Sequence, residues 1–179
     1  MPINLLALCG SLRAGSSNNA LLEATRKVQP DGISISIYDG IGALPHFSPD
    51  LDDDARLPDA ARDLRQQVED ADGLVISCPE YMHCLPGSFK NALDWMVGSE
   101  TFPGKPVALF QATSRHEYVP ALLRDVLKTM AADEVEEAGF VLPATTNRID
   151  VDALACDAEI AAAITDRLRH FADTIRQNR

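Results

Sequence analysis

The run Gly73–Ser77, GLVIS, carries apolar side chains at every interior position. It is too short for a buried helix and lacks the alternation of a strand with one wet face. Such a run needs cover on both sides, the demand of a strand inside a parallel sheet. Ile3–Cys9 and Pro106–Ala112 have the same character, and in Ile33–Tyr38 isoleucines alternate with serines as a second strand. Gly139–Leu142 reads as a short fifth strand. Between these runs lie helical patterns at Ala20–Lys27, Asp59–Ala71, Gly87–Met96, Tyr118–Met130 and Asp157–Gln177. Ser17 or Asn18 is the expected N-cap of the first, and Pro58 suits the first position of the second. Strict alternation of strand and helix predicts an α/β fold: one three-layer domain over residues 1–179, with helices on both faces of a five-stranded parallel sheet.

Composition narrows the function. The chain of 179 residues holds 16 basic and 27 acidic side chains, a formal net charge of −11. That acidity excludes nucleic acid and anionic membrane as partners, since both need a basic footprint. No run approaches the roughly 18 apolar residues of a membrane span. The N-terminus lacks the charged start and cleavage site of a signal peptide. Cys9, Cys78, Cys84 and Cys156 are too scattered for a disulfide scaffold, so reduced thiols in a cytoplasmic protein are expected. Asp50, Asp52, Asp53 and Asp54 sit in the long connection from Gly40 to Pro58 without any other ligand pattern. They read as a solvated loop, and no metal site is expected.

In an open parallel sheet, ligands bind beyond the carboxyl ends of the strands. After the first strand stands Gly10-Ser11-Leu12-Arg13-Ala14-Gly15-Ser16-Ser17-Asn18-Asn19. The glycines permit a tight turn, and Ser11, Ser16, Ser17 and Asn18 supply short polar groups. Arg13 supplies a cation, and the next helix presents its free N–H groups. These parts suit a phosphate and exceed what a helix cap needs. Three familiar phosphate loops do not fit. The P-loop lysine is missing, and the dinucleotide pattern fails at Leu12. A phosphatase thiolate at Cys9 would need its arginine where Gly15 stands.

After the third strand comes Cys78-Pro79-Glu80-Tyr81-Met82-His83-Cys84-Leu85-Pro86-Gly87, then Ser88-Phe89-Lys90-Asn91-Ala92-Leu93-Asp94-Trp95. Tyr81 offers a flat face with a polar tip to a planar ligand. Lys90 and Asp94 are spaced to pair on a helix surface. The gap between Cys78 and Cys84 is not a redox spacing, so both read as structural thiols.

Both segments resemble the NADPH-dependent FMN reductase family, which has a flavodoxin-like fold. Gly10, Ser11, Arg13, Ser16 and Asn18 meet its first motif. Pro79, Glu80, Tyr81, Pro86, Gly87, Lys90, Asn91, Ala92, Asp94 and Trp95 meet its second. The resemblance covers nearly the whole chain and implies strand order 2-1-3-4-5. It also implies FMN as cofactor, NADPH or NADH as electron donor, and a homodimer or homotetramer. Carried over by position, Ser11, Arg13, Ser16, Ser17 and Asn18 hold the FMN phosphate. Pro79, Glu80, Tyr81 and Met82 run along the ribityl chain and the ring edge, largely through backbone groups. Thr113, Ser114 and Arg115 wrap the ring.

Three departures stand out. Met82 replaces an asparagine, Cys84 a small hydroxyl residue, and Ala112–Glu117 a glycine-rich turn. Side chains where glycines are usual are expected to narrow access to the flavin. His116 fits either a ligand contact or a plain surface position, of which the second is the more economical. The expected activity is hydride transfer from NAD(P)H to FMN and onward to a small-molecule acceptor: a quinone, an azo or nitro compound, a metal oxyanion or free flavin. The cofactor carries that chemistry, so no catalytic side chain is named. The alternatives are an electron carrier and a non-catalytic descendant with weakened flavin binding. Phe89, Trp95, Met96 and the closing helix could serve a subunit interface or the protein's own core. A phosphate answers to charges within a screening length of about 8 Å, so a local basic pocket reconciles an anionic ligand with the acidic whole.

Overall fold

Neighbouring residues of a strand point to opposite faces, so a strand that is apolar throughout must be covered twice. In the structure, a computed structural model describing residues 2–53, 55–113, 115–143 and 149–178, both covers are present. The strands are β1 (Ile3–Cys9), β2 (Ile33–Tyr38), β3 (Gly73–Ser77), β4 (Pro106–Gln111), β5 (Asp133–Glu134) and β6 (Phe140–Val141). The helices are α1 (Ser17–Lys27), α2 (Asp59–Asp70), α3 (Gly87–Val97), α4 (Val119–Thr129), α5 (Val151–Cys156) and α6 (Ala158–Gln177). The sheet is parallel, in the order β2-β1-β3-β4-β5, with β6 also on β4. This is the doubly wound, flavodoxin-like order.

Leu6 and Leu8 of β1, Leu74 and Ile76 of β3, and Val107 and Leu109 of β4 face one core, closed by Leu64, Phe89, Trp95, Leu123 and Leu127 of α2, α3 and α4. Ile3, Leu5 and Ala7, with Val75, Ala108 and Phe110, face the other, closed by Leu21 and Leu22 of α1 and by Ile164, Leu168 and Phe171 of α6. Phe89, Trp95 and Met96 are fully buried within the protein's own core. Each such large apolar side chain contributes about 1.5–3 kcal/mol by leaving water.

The first three strands have the expected bounds, and β4 ends one residue early, at Gln111. Three expectations are corrected. The single fifth strand, Gly139–Leu142, is two short pieces on one side of β4. Pro106 and Val107 pair with Asp133 and Glu134, and Phe110 and Gln111 pair with Phe140 and Val141. The acidic stretch 133–137 therefore begins as strand and continues into a 3-10 turn at Glu136–Ala138, which bulges between the two pieces while burying Val135 and Ala138. An additional helix, α5, is capped by Asp150, whose Oδ1 accepts from Ala153 N at 2.8 Å. The N-cap of α1 is Ser16, in place of Ser17 or Asn18, and its hydroxyl accepts from Asn19 N.

The long connection between β2 and α2 is tied down by the second half of the Pro79–Trp95 motif. The Trp95 indole donates to Pro45 O at 2.7 Å, and Asn91 Nδ2 donates to the same carbonyl at 2.9 Å. Asn91 Oδ1 accepts from Phe47 N at 2.8 Å. Arg65 donates to Trp95 O and to Asp52, while Asp53 accepts from Ala55 N and Arg56 N. Asp52 and Asp53 thus brace the connection; Asp54 lies outside the described residues. Among the described residues, no helix is long and apolar enough to cross a membrane.

Candidate functional site

From β1 the chain crosses to β2 on one side, and from β3 to β4 on the other, which opens a crevice between their carboxyl ends. Gly10 N donates to Ser77 O at 2.8 Å, holding the first loop against β3. A Cβ on Gly10 would stand 2.7 Å from Cys78 Sγ and 3.1 Å from Cys78 Cα, so only glycine lets the two loops meet here. Gly15, at φ +71°, turns the chain into α1, and Ser16 N closes that turn on Arg13 O at 3.1 Å. Ser77, wholly buried, donates its hydroxyl to Asn18 Oδ1 at 2.9 Å. Asn18 therefore locks the loop to the sheet, with its carbonyl oxygen committed to the scaffold.

The crevice holds a cavity of about 320 Å³. Ser11, Arg13, Ser16, Ser17 and Asn18 line it from the first loop, and Pro79, Glu80 and Tyr81 from the second. Thr113 and Arg115 line it from the third, together with Ala112 and His116, which the sequence reading left out of the site. Ser11 Oγ and Tyr81 Oη lie 3.2 Å apart, a hydrogen bond that joins the first two loops. Of the residues expected from the sequence, Ser114 lies outside the described ones. Met82 is not among the residues that line the cavity, and its side chain is 96% exposed.

The reason for Met82's position is the local turn. Tyr81 and Cys84 exchange two backbone hydrogen bonds of 3.0 Å, closing a two-residue hairpin. Its central residues, Met82 and His83, have φ of 52° and 61°, the primed-turn geometry that favours Asn and Gly. The Met82 side chain is directed into solvent, while the His83 ring stacks on Tyr118, centroids 4.3 Å apart.

Glu80 serves a partner that the sequence does not reveal. Its Oε2 accepts from Glu117 N at 3.0 Å, Tyr118 N at 2.8 Å and Val119 N at 3.0 Å. Tyr118, at the N-cap of α4, makes no side-chain cap of its own, so a carboxylate from another loop caps this helix and fixes the third loop. Those N–H groups hold the Glu80 carboxyl below its ordinary range.

The electrostatics are set by two arginines. Every other described arginine is engaged with a carboxylate or a backbone carbonyl. Among the described residues, the guanidinium groups of Arg13 and Arg115 have no such partner, and both line this cavity. The thiols beneath are inert: burial pushes Cys9 and, more strongly, Cys78 above the ordinary thiol range. His116 is half-buried, which corrects its reading as a surface residue, and burial lowers its pKa.

Fold and cavity define a class: a flavodoxin-like α/β protein whose switch-point crevice offers hydroxyls, a helix terminus and uncommitted cations. Residues 3–147 match the family described as NADPH-dependent FMN reductase, and the chain belongs to that family. A 2-hydroxy-1,4-benzoquinone reductase from Burkholderia sp is 42% identical over 112 residues, which are 61% of this chain and 60% of that protein. A quinone reductase from Escherichia coli (strain K12) is 30% identical over 157 residues, covering 83% of this chain and 81% of the relative. Among solved structures, FerB, a flavoenzyme NAD(P)H:(acceptor) oxidoreductase from Paracoccus denitrificans, superposes with a TM-score of 0.83 at 25% identity, covering 98% of each chain.

Proposed function

We propose that this protein is an NAD(P)H-dependent flavin reductase that holds FMN in the switch-point cavity and delivers electrons to a quinone-type acceptor. The observation that carries the reading is the convergence of Arg13 and Arg115, the two guanidinium groups without a carboxylate or carbonyl partner among the described residues, on a cavity rimmed by serines. When bound, FMN supplies the two-electron step, taking hydride from NAD(P)H and passing it to the acceptor. The residues fit that group. Arg13 and the hydroxyls of Ser11, Ser16 and Ser17 sit at the amino end of α1, where a phosphate meets oriented N–H groups and a fixed cation. Pro79, Glu80 and Tyr81 line the cavity from the second loop, which supports reading them along the polyol and ring edge, with the Tyr81 hydroxyl bonded to Ser11. Thr113 and Arg115 form the remaining wall, and Glu80 keeps that wall in place.

The quinone assignment follows the activities named for two relatives, both quinone reductases. The same names favour an enzyme over an electron carrier. A homodimer or homotetramer belongs to this reading, supported by the exposed apolar side chains of Leu12, Tyr81, Met82 and Tyr118; light scattering measures it. The test of function is the visible spectrum of the purified protein after adding FMN, followed by NADPH oxidation with a benzoquinone. Bound flavin and quinone-dependent turnover are expected. Absence of flavin binding after reconstitution removes the reading, and binding without NADPH turnover replaces it with an electron carrier.

A further inference from the structure

We propose that His116 acts as a neutral hydrogen-bond donor, presenting its Nε2–H to a carbonyl oxygen of the planar ring bound in the cavity. The inference rests on the ring-binding reading above and adds a residue to it. His116 stands between two spaces. One is the cavity itself, shared with Thr113 and Arg115. The other is a pocket of about 10 Å³ lined by Ile76, Cys78, Leu109, Val119 and Leu123. That second space is at the lower limit for one water, and Gln111 and the Cys78 thiol are its polar side chains besides His116.

The Nδ1 atom of His116 is shut off from solvent and has no hydrogen-bond partner among the described residues. A buried orphan on a polar ring calls for a physical account. An orphaned N–H costs more than an orphaned lone pair, because donors without acceptors are the rarer case in folded proteins. Nδ1 therefore carries the lone pair, and the proton of the neutral ring sits on Nε2. Protonating Nδ1 as well would create an N–H with nothing to accept it. Burial accordingly holds the imidazole below its ordinary pKa, and the nearby Glu80 carboxylate only partly offsets this.

The backbone on either side of the ring is also held in place. Just before it, Arg115 N donates to Thr113 Oγ1 at 3.1 Å, and just after it, Glu117 N donates to Glu80 Oε2 at 3.0 Å. A neutral, oriented N–H beside two guanidinium groups that have no partner among the described residues completes a set of donors, and Glu80, the one carboxylate among the residues lining the cavity, gives its Oε2 to the start of α4. The ligand such a wall recognises is a ring edge rich in carbonyl oxygens. A flavin dione and a quinone share that chemistry.

The test has two parts. First, nitrogen NMR of the ligand-free protein with labelled histidine reads the tautomer directly. The expected result at neutral pH is a protonated Nε2 and an unprotonated Nδ1 at His116; the Nδ1–H tautomer overturns the inference. Second, His116→Phe removes the donor and keeps a ring of similar volume, while His116→Gln restores a donor. If the partner is the flavin, His116→Phe weakens FMN binding about two- to tenfold, the effect of one neutral hydrogen bond, and His116→Gln recovers it. If the partner is the quinone, FMN affinity is unchanged and the quinone KM rises by a similar factor at constant kcat. Either result supports the donor role. Unchanged FMN affinity together with unchanged quinone KM in His116→Phe overturns it while leaving the flavin reductase reading intact. A wild-type protein that binds neither flavin nor quinone overturns both.

Discussion

The loops after β1 and β3 border one crevice, yet they are built on opposite terms. The first is made of small residues around Gly10 and Gly15, is bonded to the sheet through Asn18 and Ser77, and leaves its arginine without a carboxylate or carbonyl partner among the described residues. The second carries bulky side chains through a hairpin with two non-glycine residues at positive φ, and its one carboxylate is spent on the third loop. The difference teaches how the site divides its labour. On the proposed function the first loop is the anion cradle, its Arg13 guanidinium having no carboxylate or carbonyl partner among the described residues. The second is a brace that spends its polar groups on other parts of the protein, keeping the cradle and the far wall at a fixed distance.

Removing the cradle's cation gives the largest expected effect. Arg13→Ala weakens FMN binding by about 1.5–3 kcal/mol, the range for a hydrogen bond to a charged group, with stability unchanged. Equilibrium titration of flavin fluorescence measures the first and thermal unfolding the second. A loss in Tm at unchanged FMN affinity would move Arg13 from the cradle to the scaffold.

Unlocking the cradle comes next. Asn18→Ala leaves the buried Ser77 hydroxyl without its acceptor and costs about 1–3 kcal/mol of folding stability in denaturant titration. Combining it with Ser77→Ala recovers part of that loss, since the second change removes the stranded group. Strict additivity of the two would show that this hydrogen bond does not couple loop to sheet.

The brace is tested by acid. A carboxyl whose pKa is lowered by folding stabilises the protein fully above its ordinary value of 4.5, and that stabilisation is lost as pH falls through the lowered value. Amide protection at Tyr118 and Val119, the exchange rate relative to the intrinsic rate at the same pH, is therefore high at neutral pH and falls below the ordinary carboxyl range. Glu80→Ala lowers it at every pH above that range. Glu80→Gln, which keeps an acceptor, restores protection at neutral pH and abolishes the acid transition. Protection that ignores both substitutions would mean α4 is capped by other groups.

The smallest effect belongs to the hairpin. Met82→Gly relieves a left-handed backbone that costs a side-chain-bearing residue about 1 kcal/mol or somewhat more. A rise in stability of up to about 1 kcal/mol is expected, with FMN affinity unchanged because Met82 does not line the cavity. A fall in affinity would return Met82 to the ligand.

Most of this contrast was readable from the chain in its local parts and unreadable in its long-range ones. The strands β1, β2 and β3 follow from runs whose burial pattern is written in adjacent residues, and the first loop's chemistry is contained in ten consecutive positions. The split of the last strand was hidden, because pieces of two residues carry no period. Glu80 meets its partners 37 to 39 residues away, and no spacing rule marks a cap supplied from another loop. Met82 lies inside a matched motif, which points it to the ligand, whereas its turn geometry leaves its side chain in solvent. His116 had no pattern of its own; only the fold shows that one edge of its ring has no partner. Asn91 and Trp95 belong to the most distinctive stretch of the sequence, yet they hold the connection before α2 and stand apart from the cavity.

Assignment of the serine-rich loop and its Arg13 to the phosphate of a flavin nucleotide carries the proposed function. It is tested most directly by titrating the ligand-free protein with FMN and with riboflavin, which differ only in that phosphate, and reading flavin fluorescence. FMN is expected to bind tighter by at least about tenfold, as charge-assisted contacts to a phosphate require, and the advantage is expected to shrink in Arg13→Ala. Equal affinities for the two flavins would contradict the account.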